Sequence, residues 1–250
     1  MSYITVDGRI VDVSVATYAT DYFFALVCLV LYFGIPSYQA LASQDKKKDD
    51  DAADESSSTR VQQAKNCYTY LGYAVLVQAF CAALGAVFHH QLYHHVVVFD
   101  IIGIVQIVAS TYLIFALLSA FEYGAHKHIN GINFKMTAIF LVSFNILYSM
   151  WFWIFVKMFA NILGLFLAYS SQPLPQIKNK VNLGSLKLGC WVNTLLGFYY
   201  ASIMGGCRDF HSGADLEAKC SWPAWFNHNA FSHVAVAVGF YFTLKGFAKK

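Results

Sequence analysis

Apolar residues along this chain gather into long uncharged runs separated by short polar stretches, and the lengths of those runs predict its elements. Residues 22–44, 66–88, 101–121, 188–207 and 220–244 contain no Asp, Glu, Lys or Arg. Each run is close to the ~20 residues a helix needs to cross the hydrocarbon core of a bilayer. The region from Met136 to Ile177 is longer, and its one charge is Lys157, just after the aromatic run MWFWIF. Trp and Lys both favour the membrane interface, so this region reads as two spans with a tight turn near Trp151 to Lys157. The pattern predicts an all-α polytopic membrane protein, a seven-transmembrane helix bundle. A short outer segment, 1–20, would precede a single domain, 21–247, with spans near 21–41, 66–90, 97–121, 135–153, 157–172, 187–207 and 223–244.

The charges orient this bundle. Lys and Arg accumulate in short cytoplasmic loops. Seven spans with the N-terminus outside or lumenal and the C-terminus cytoplasmic place 13 of the 17 Lys and Arg residues inside and only Arg9, Lys157, Arg208 and Lys219 outside. Fusing 136–177 into one span would leave nine inside against seven outside, with Lys157 buried in lipid. Composition points the same way, since 58% of residues are hydrophobic and only 12% charged, against about 25% charged in an ordinary soluble domain. The first apolar run is too long for the core of a cleavable signal and is expected to stay as an anchor. SQDKKKDDDAADESSSTR (43–60) is of low complexity and highly charged, so 43–62 is expected to be a disordered cytoplasmic loop. Net charge +3 is spread over short loops with no basic face, which argues against a nucleic-acid partner and leaves membrane lipids as the expected one. An endomembrane of the secretory pathway and the plasma membrane fit this topology equally.

Chemistry concentrates on the outer side. VFHHQLYHHVVVFD (87–100) closes span two and opens span three, and WFNHNAFSH (225–233) opens span seven. Topology alone would therefore gather His89, Asp100, Asn229 and His233 in the outer half of the bilayer. Asn229 and His233 are four apart and share a helix face. Imidazoles suit zinc, which binds nitrogen at about 2.0–2.1 Å and in catalytic sites takes three protein ligands plus a water. His228 is adjacent but points roughly 100° away on a regular helix. An aspartate nearby would orient a ligand or handle a proton. The bland reading is an interhelical polar cluster that holds the spans in register. His90, His94 and His95 read as interfacial and solvent-exposed. Asn145, Asn161, Asn193 and Thr194 read as interhelical hydrogen-bonding positions, and neither an inverted repeat nor paired broken helices suggest a transporter. Cys207 and Cys220 share an outer loop where a disulfide is expected in an oxidising compartment.

At these residues the chain resembles the superfamily of seven-span proteins that contains alkaline ceramidases, progestin and adiponectin receptors, and Per1-like proteins. Its members carry a Ser and a His late in span two, an Asp early in span three and a His-x-x-x-His pair in span seven. Phe88, His89 and Asp100 stand at the ceramidase spacing, and NAFSH places His233 at the second histidine of the pair. Asp21, at the start of span one, also fits a poorly characterised relative of that superfamily. The pattern departs at Gly85, where the serine would fall, and at Asn229, in place of the first histidine. The resemblance implies a zinc-dependent membrane hydrolase of lipid amides or esters, or a descendant of one, with His89, His233, His228 and Asn229 as candidate metal ligands and Asp100 as candidate catalytic group. The alternative is a non-catalytic receptor-like or structural protein that keeps a lipid-accessible cavity.

Overall fold

A computed structural model describes residues 3–6, 9–34, 55–122, 134–148, 152–207 and 228–247. Within the segment expected only as a short outer one, 1–20, lie two antiparallel strands, β1 (Tyr3–Val6) and β2 (Arg9–Asp12), in register from Tyr3 against Asp12 to Val6 against Arg9. The pairing leaves Asp7 and Gly8 between the strands, the residue pair that two-residue hairpin loops favour. An all-α description is therefore corrected to a mostly helical chain with one small hairpin.

Seven α-helices are present among the described residues: α1 (Val15–Gly34), α2 (Glu55–Val87), α3 (Val96–Ala120), α4 (Phe134–Tyr148), α5 (Phe152–Ser170), α6 (Leu183–Cys207) and α7 (His228–Lys245). A short π-helical turn, Phe88–Leu92, continues α2. Four stretches are long and apolar enough to cross a membrane: Val15–Gly34, Thr59–Leu92, Val97–Ala120 and Phe152–Ser170. Lys135–Leu147 is apolar but shorter. α6 and α7 are interrupted by polar residues, Asn193 and Thr194 in one and His228, Asn229 and His233 in the other.

Two boundaries differ from expectation. α2 begins at Glu55, inside the stretch expected to be a disordered loop. Apolarity marks where a helix enters lipid, whereas the helix itself extends into water on residues such as Gln, Ala, Arg and Lys that favour it. Lys157, expected at an interfacial turn, lies in the second turn of α5 and faces inward.

The helices close on themselves. α1 packs on α2, α2 on α3, α3 on α5, α5 on α6, α6 on α7, and α7 back on α1, with α4 outside this ring against α3 and α5. The lateral surface is apolar, with Val30, Phe33, Phe140, Ile146, Leu147 and Phe155 among many large side chains left exposed. A soluble monomer rarely tolerates so extensive an apolar surface, and lipid is the solvent that accepts it. The interior mixes packed apolar residues such as Leu71, Ile107, Leu117 and Leu167 with buried polar ones, among them Gln78, Asn161, Asn193 and Thr243. At one seam the backbones of α6 and α7 approach so closely that a Cβ on Gly189 would overlap Thr243 and the Gly239 carbonyl. Close approach of small residues is how helices associate where no hydrophobic force drives them together.

Candidate functional site

The hairpin delivers Asp12 to the end of the bundle where α1 and α7 begin and α2 ends. Ser14 caps α1: its carbonyl accepts from the Thr17 amide at 3.1 Å, and its hydroxyl oxygen lies 3.3 Å from the same nitrogen. This local arrangement presents three donors to the Asp12 carboxylate. The Ser14 amide donates to Oδ1 at 2.9 Å, and the Thr17 hydroxyl and the Asn229 side-chain amide donate to Oδ2 at 2.6 and 2.7 Å. The Asp12 carbonyl oxygen faces His89 Nδ1 at 2.5 Å. One buried residue thus ties the hairpin to α1, α2 and α7.

A second carboxylate lies along α1. Asp21 Oδ1 is 3.2 Å from His233 Nδ1, and the Thr20 hydroxyl, which donates back to the Ala16 or Thr17 carbonyl, is at the same distance from that nitrogen. The Nδ1–H of His233 is accordingly the donor and Asp21 the acceptor. Asp21 Oδ2 is buried with no hydrogen-bond partner among the described residues. It lies 3.2 Å from where a Cβ on Gly85 would stand. Gly85 puts no side chain between α2 and this carboxylate.

The His89 and His233 rings have centroids 6.5 Å apart at 47°. Two imidazoles sharing one zinc at ~2.1 Å per nitrogen have centroids about 5 Å apart, so these rings would have to approach further to do so. Asn229, expected as a candidate metal ligand, turns its side-chain amide to Asp12. His228 is the first residue of α7, and its side chain lies outside the described residues. Asp100 is half-buried in the second turn of α3, and the carboxylates in the contacts above are those of Asp12 and Asp21. Among the described residues, no three His, Cys, Asp or Glu form a group that could hold a metal ion. His90 stacks on Tyr18, with centroids 4.6 Å apart. Cys207 closes α6, but the Cys207 side chain and Cys220 lie outside the described residues, while Cys28, Cys67, Cys81 and Cys190 are buried free thiols.

Sequence reasoning overlooked Asp12. The signal was local: Asp12 and Ser14 stand directly before a helix with Thr17 at its third position, the pattern of an N-terminal cap. Comparison of the chain with models of protein families, with curated proteins and with solved structures finds no match.

Proposed function

We propose that this chain is a non-catalytic seven-span membrane protein, receptor-like or structural, with its N-terminus outside or lumenal and its C-terminus cytoplasmic, and that it descends from a lipid-hydrolase scaffold of the ceramidase and adiponectin-receptor type. Its membrane would be the plasma membrane or one of the secretory pathway, and its immediate partners lipids. The observation that carries this reading is the saturation of Asp12 by Ser14, Thr17 and Asn229. The residue at the first span-seven ligand position is committed to a structural hydrogen bond. With Gly85 in place of a serine and only His89 and His233 available, the described donors fall one short of the three that a catalytic zinc takes. Saturated polar clusters of this kind hold helices in register and fix a fold.

One feature favours a second reading. Asp21 behind His233 and the Asp12 carbonyl behind His89 are the kind of support that metal-ligating histidines use. A zinc completed by His228 would supply Lewis acidity for lipid amide or ester hydrolysis, with Asp100 as the candidate proton acceptor. Elemental analysis of the purified protein beside His89→Ala and His233→Ala separates the two. The non-catalytic reading expects no stoichiometric zinc in the wild type. One zinc per chain, lost in both variants, would replace it with the hydrolase.

A further inference from the structure

Below the outer cluster, the middle of the helix ring holds a second polar feature that the first does not use. A small cavity between α2, α3, α5, α6 and α7 is lined by Lys157, Gln78, Ser110, Asn161 and Asn193, with Phe240 among its apolar walls. It has room for about one or two water molecules. Gln78, Asn161 and Asn193 are all more than nine-tenths buried, and each keeps one polar atom unpartnered: Gln78 Nε2, Asn161 Oδ1 and Asn193 Oδ1. The orientation of Asn161 is set by its amide nitrogen, which donates to the Lys157 carbonyl at 2.8 Å and leaves Oδ1 for another donor.

The charge balance of this cavity is incomplete. Lys157 brings an ammonium into the bundle, and among the described residues no carboxylate lies within ion-pair distance of it. Asp21 is the carboxylate that acts on it electrostatically, but its Oδ1 is given to His233. An ionised group inside a membrane bundle is costly unless a counter-charge or a wet cavity receives it. Water satisfies hydrogen bonds but cannot neutralise the charge. The unpartnered atoms include a donor, Gln78 Nε2, on a residue that lines the same cavity as Lys157, and two carbonyl oxygens that require a donor in return. A compact monovalent anion with one water meets all three: the anion takes the ammonium and the Gln78 amide, and the water donates to Asn161 and Asn193.

We propose that the cavity around Lys157, Gln78, Asn161 and Asn193 is a binding site for a small monovalent anion of the size of chloride, carried with one water. The site is separate from the outer cluster and stands whether or not that cluster binds metal.

The test uses the full-length protein in detergent, exchanged from sodium gluconate into sodium chloride at constant ionic strength, with the thermal unfolding midpoint followed by circular dichroism. Gluconate is too large for the cavity. A ligand that binds only the folded state raises the midpoint as its concentration passes its dissociation constant. The wild type is expected to show a rise of several degrees that saturates with chloride. Lys157→Met removes the charge and should abolish the response. Gln78→Glu, nearly isosteric, supplies an internal carboxylate to the same ammonium and should abolish it while keeping Lys157, so the test survives if Lys157→Met fails to fold. A wild type indifferent to the exchange, as expected if Asp21 alone balances Lys157, would overturn the site. So would a chloride response equal in the wild type and in Gln78→Glu, which is what a general salt effect produces.

Discussion

Asp12 accepts hydrogen bonds from a backbone amide and a hydroxyl, both buried, and from a half-buried side-chain amide. Charge-assisted bonds are stronger than neutral ones, and removing their shared acceptor strands three donors at once. Asp12→Ala should therefore cost about 2–4 kcal/mol, read as a lower midpoint in thermal or denaturant unfolding. A loss under ~0.5 kcal/mol would mean the cluster carries little of the fold. Gly85→Ser tests the opposite sign. Its hydroxyl would reach Asp21 Oδ2, which has no described partner and lies 3.2 Å from the Cβ position. The new hydrogen bond and the better helix propensity of Ser should together stabilise by ~1 kcal/mol. A lower midpoint would show that the contact is too tight for any side chain. His89 and His233 stood out in the sequence because imidazoles at the ends of apolar runs are conspicuous. Asp12 did not, because a carboxylate in a short polar segment looks the same whether it faces water or caps a helix.

The elements carry two further consequences. The hairpin is held to the bundle through Asp12, so the contact with Asn229 should govern how firmly β1 and β2 stay docked. Amide hydrogen exchange in Tyr3–Val6 and Arg9–Asp12 is expected to speed up by about tenfold or more in Asn229→Ala, with exchange in α3 unchanged, since ~1.4 kcal/mol is one decade in a local opening equilibrium. Equal exchange in mutant and wild type would place the docking energy elsewhere. Towards the other end of α7, Gly189 meets Thr243 and Gly239 with no space for a Cβ. Gly189→Ala should force α6 and α7 apart and cost about 1–3 kcal/mol despite the higher helix propensity of alanine. A neutral result would show that the two helices shift freely. Neither contact was legible beforehand. The Asp7-Gly8 pair between Val6 and Arg9 did signal a hairpin, but the reading for membrane spans passes over four-residue strands. The closeness of α6 to α7 depends on which face of each helix meets the other.

For the whole molecule, the prediction is topological. Cysteine-labelling or glycosylation tags at the two ends should report opposite sides of the membrane, with the N-terminus outside or lumenal. Both ends on one face would remove the seven-span reading and the gathering of Lys and Arg on the inner side. Among the described residues, four helices meet the length and apolarity of a membrane span outright. The remaining three are shorter or more polar. Their polar residues include Asn145, Asn193 and Thr194, which are buried among neighbouring helices and so removed from lipid. A hydropathy average cannot distinguish a polar residue facing the interior from one facing lipid. The bundle can hold them because packing between helices shields these positions behind an apolar outer surface.

The sequence by itself determined that this chain is mainly helical, with apolar runs long enough to cross a membrane. Transfer of charges and unpaired backbone into lipid is so costly that only long uncharged helical runs are allowed there, and those runs are visible one residue at a time. It also marked His89, Asn229 and His233 through their positions at the ends of those runs. Only the tertiary structure decided that Asn229 meets the Asp12 carboxylate, His233 the Asp21 carboxylate and His89 the Asp12 carbonyl, and that Lys157 lies inside the ring. Those outcomes depend on the rotation of each helix about its axis and on the partner it faces. Both are set by packing between segments up to 217 residues apart in the chain, which no local pattern encodes.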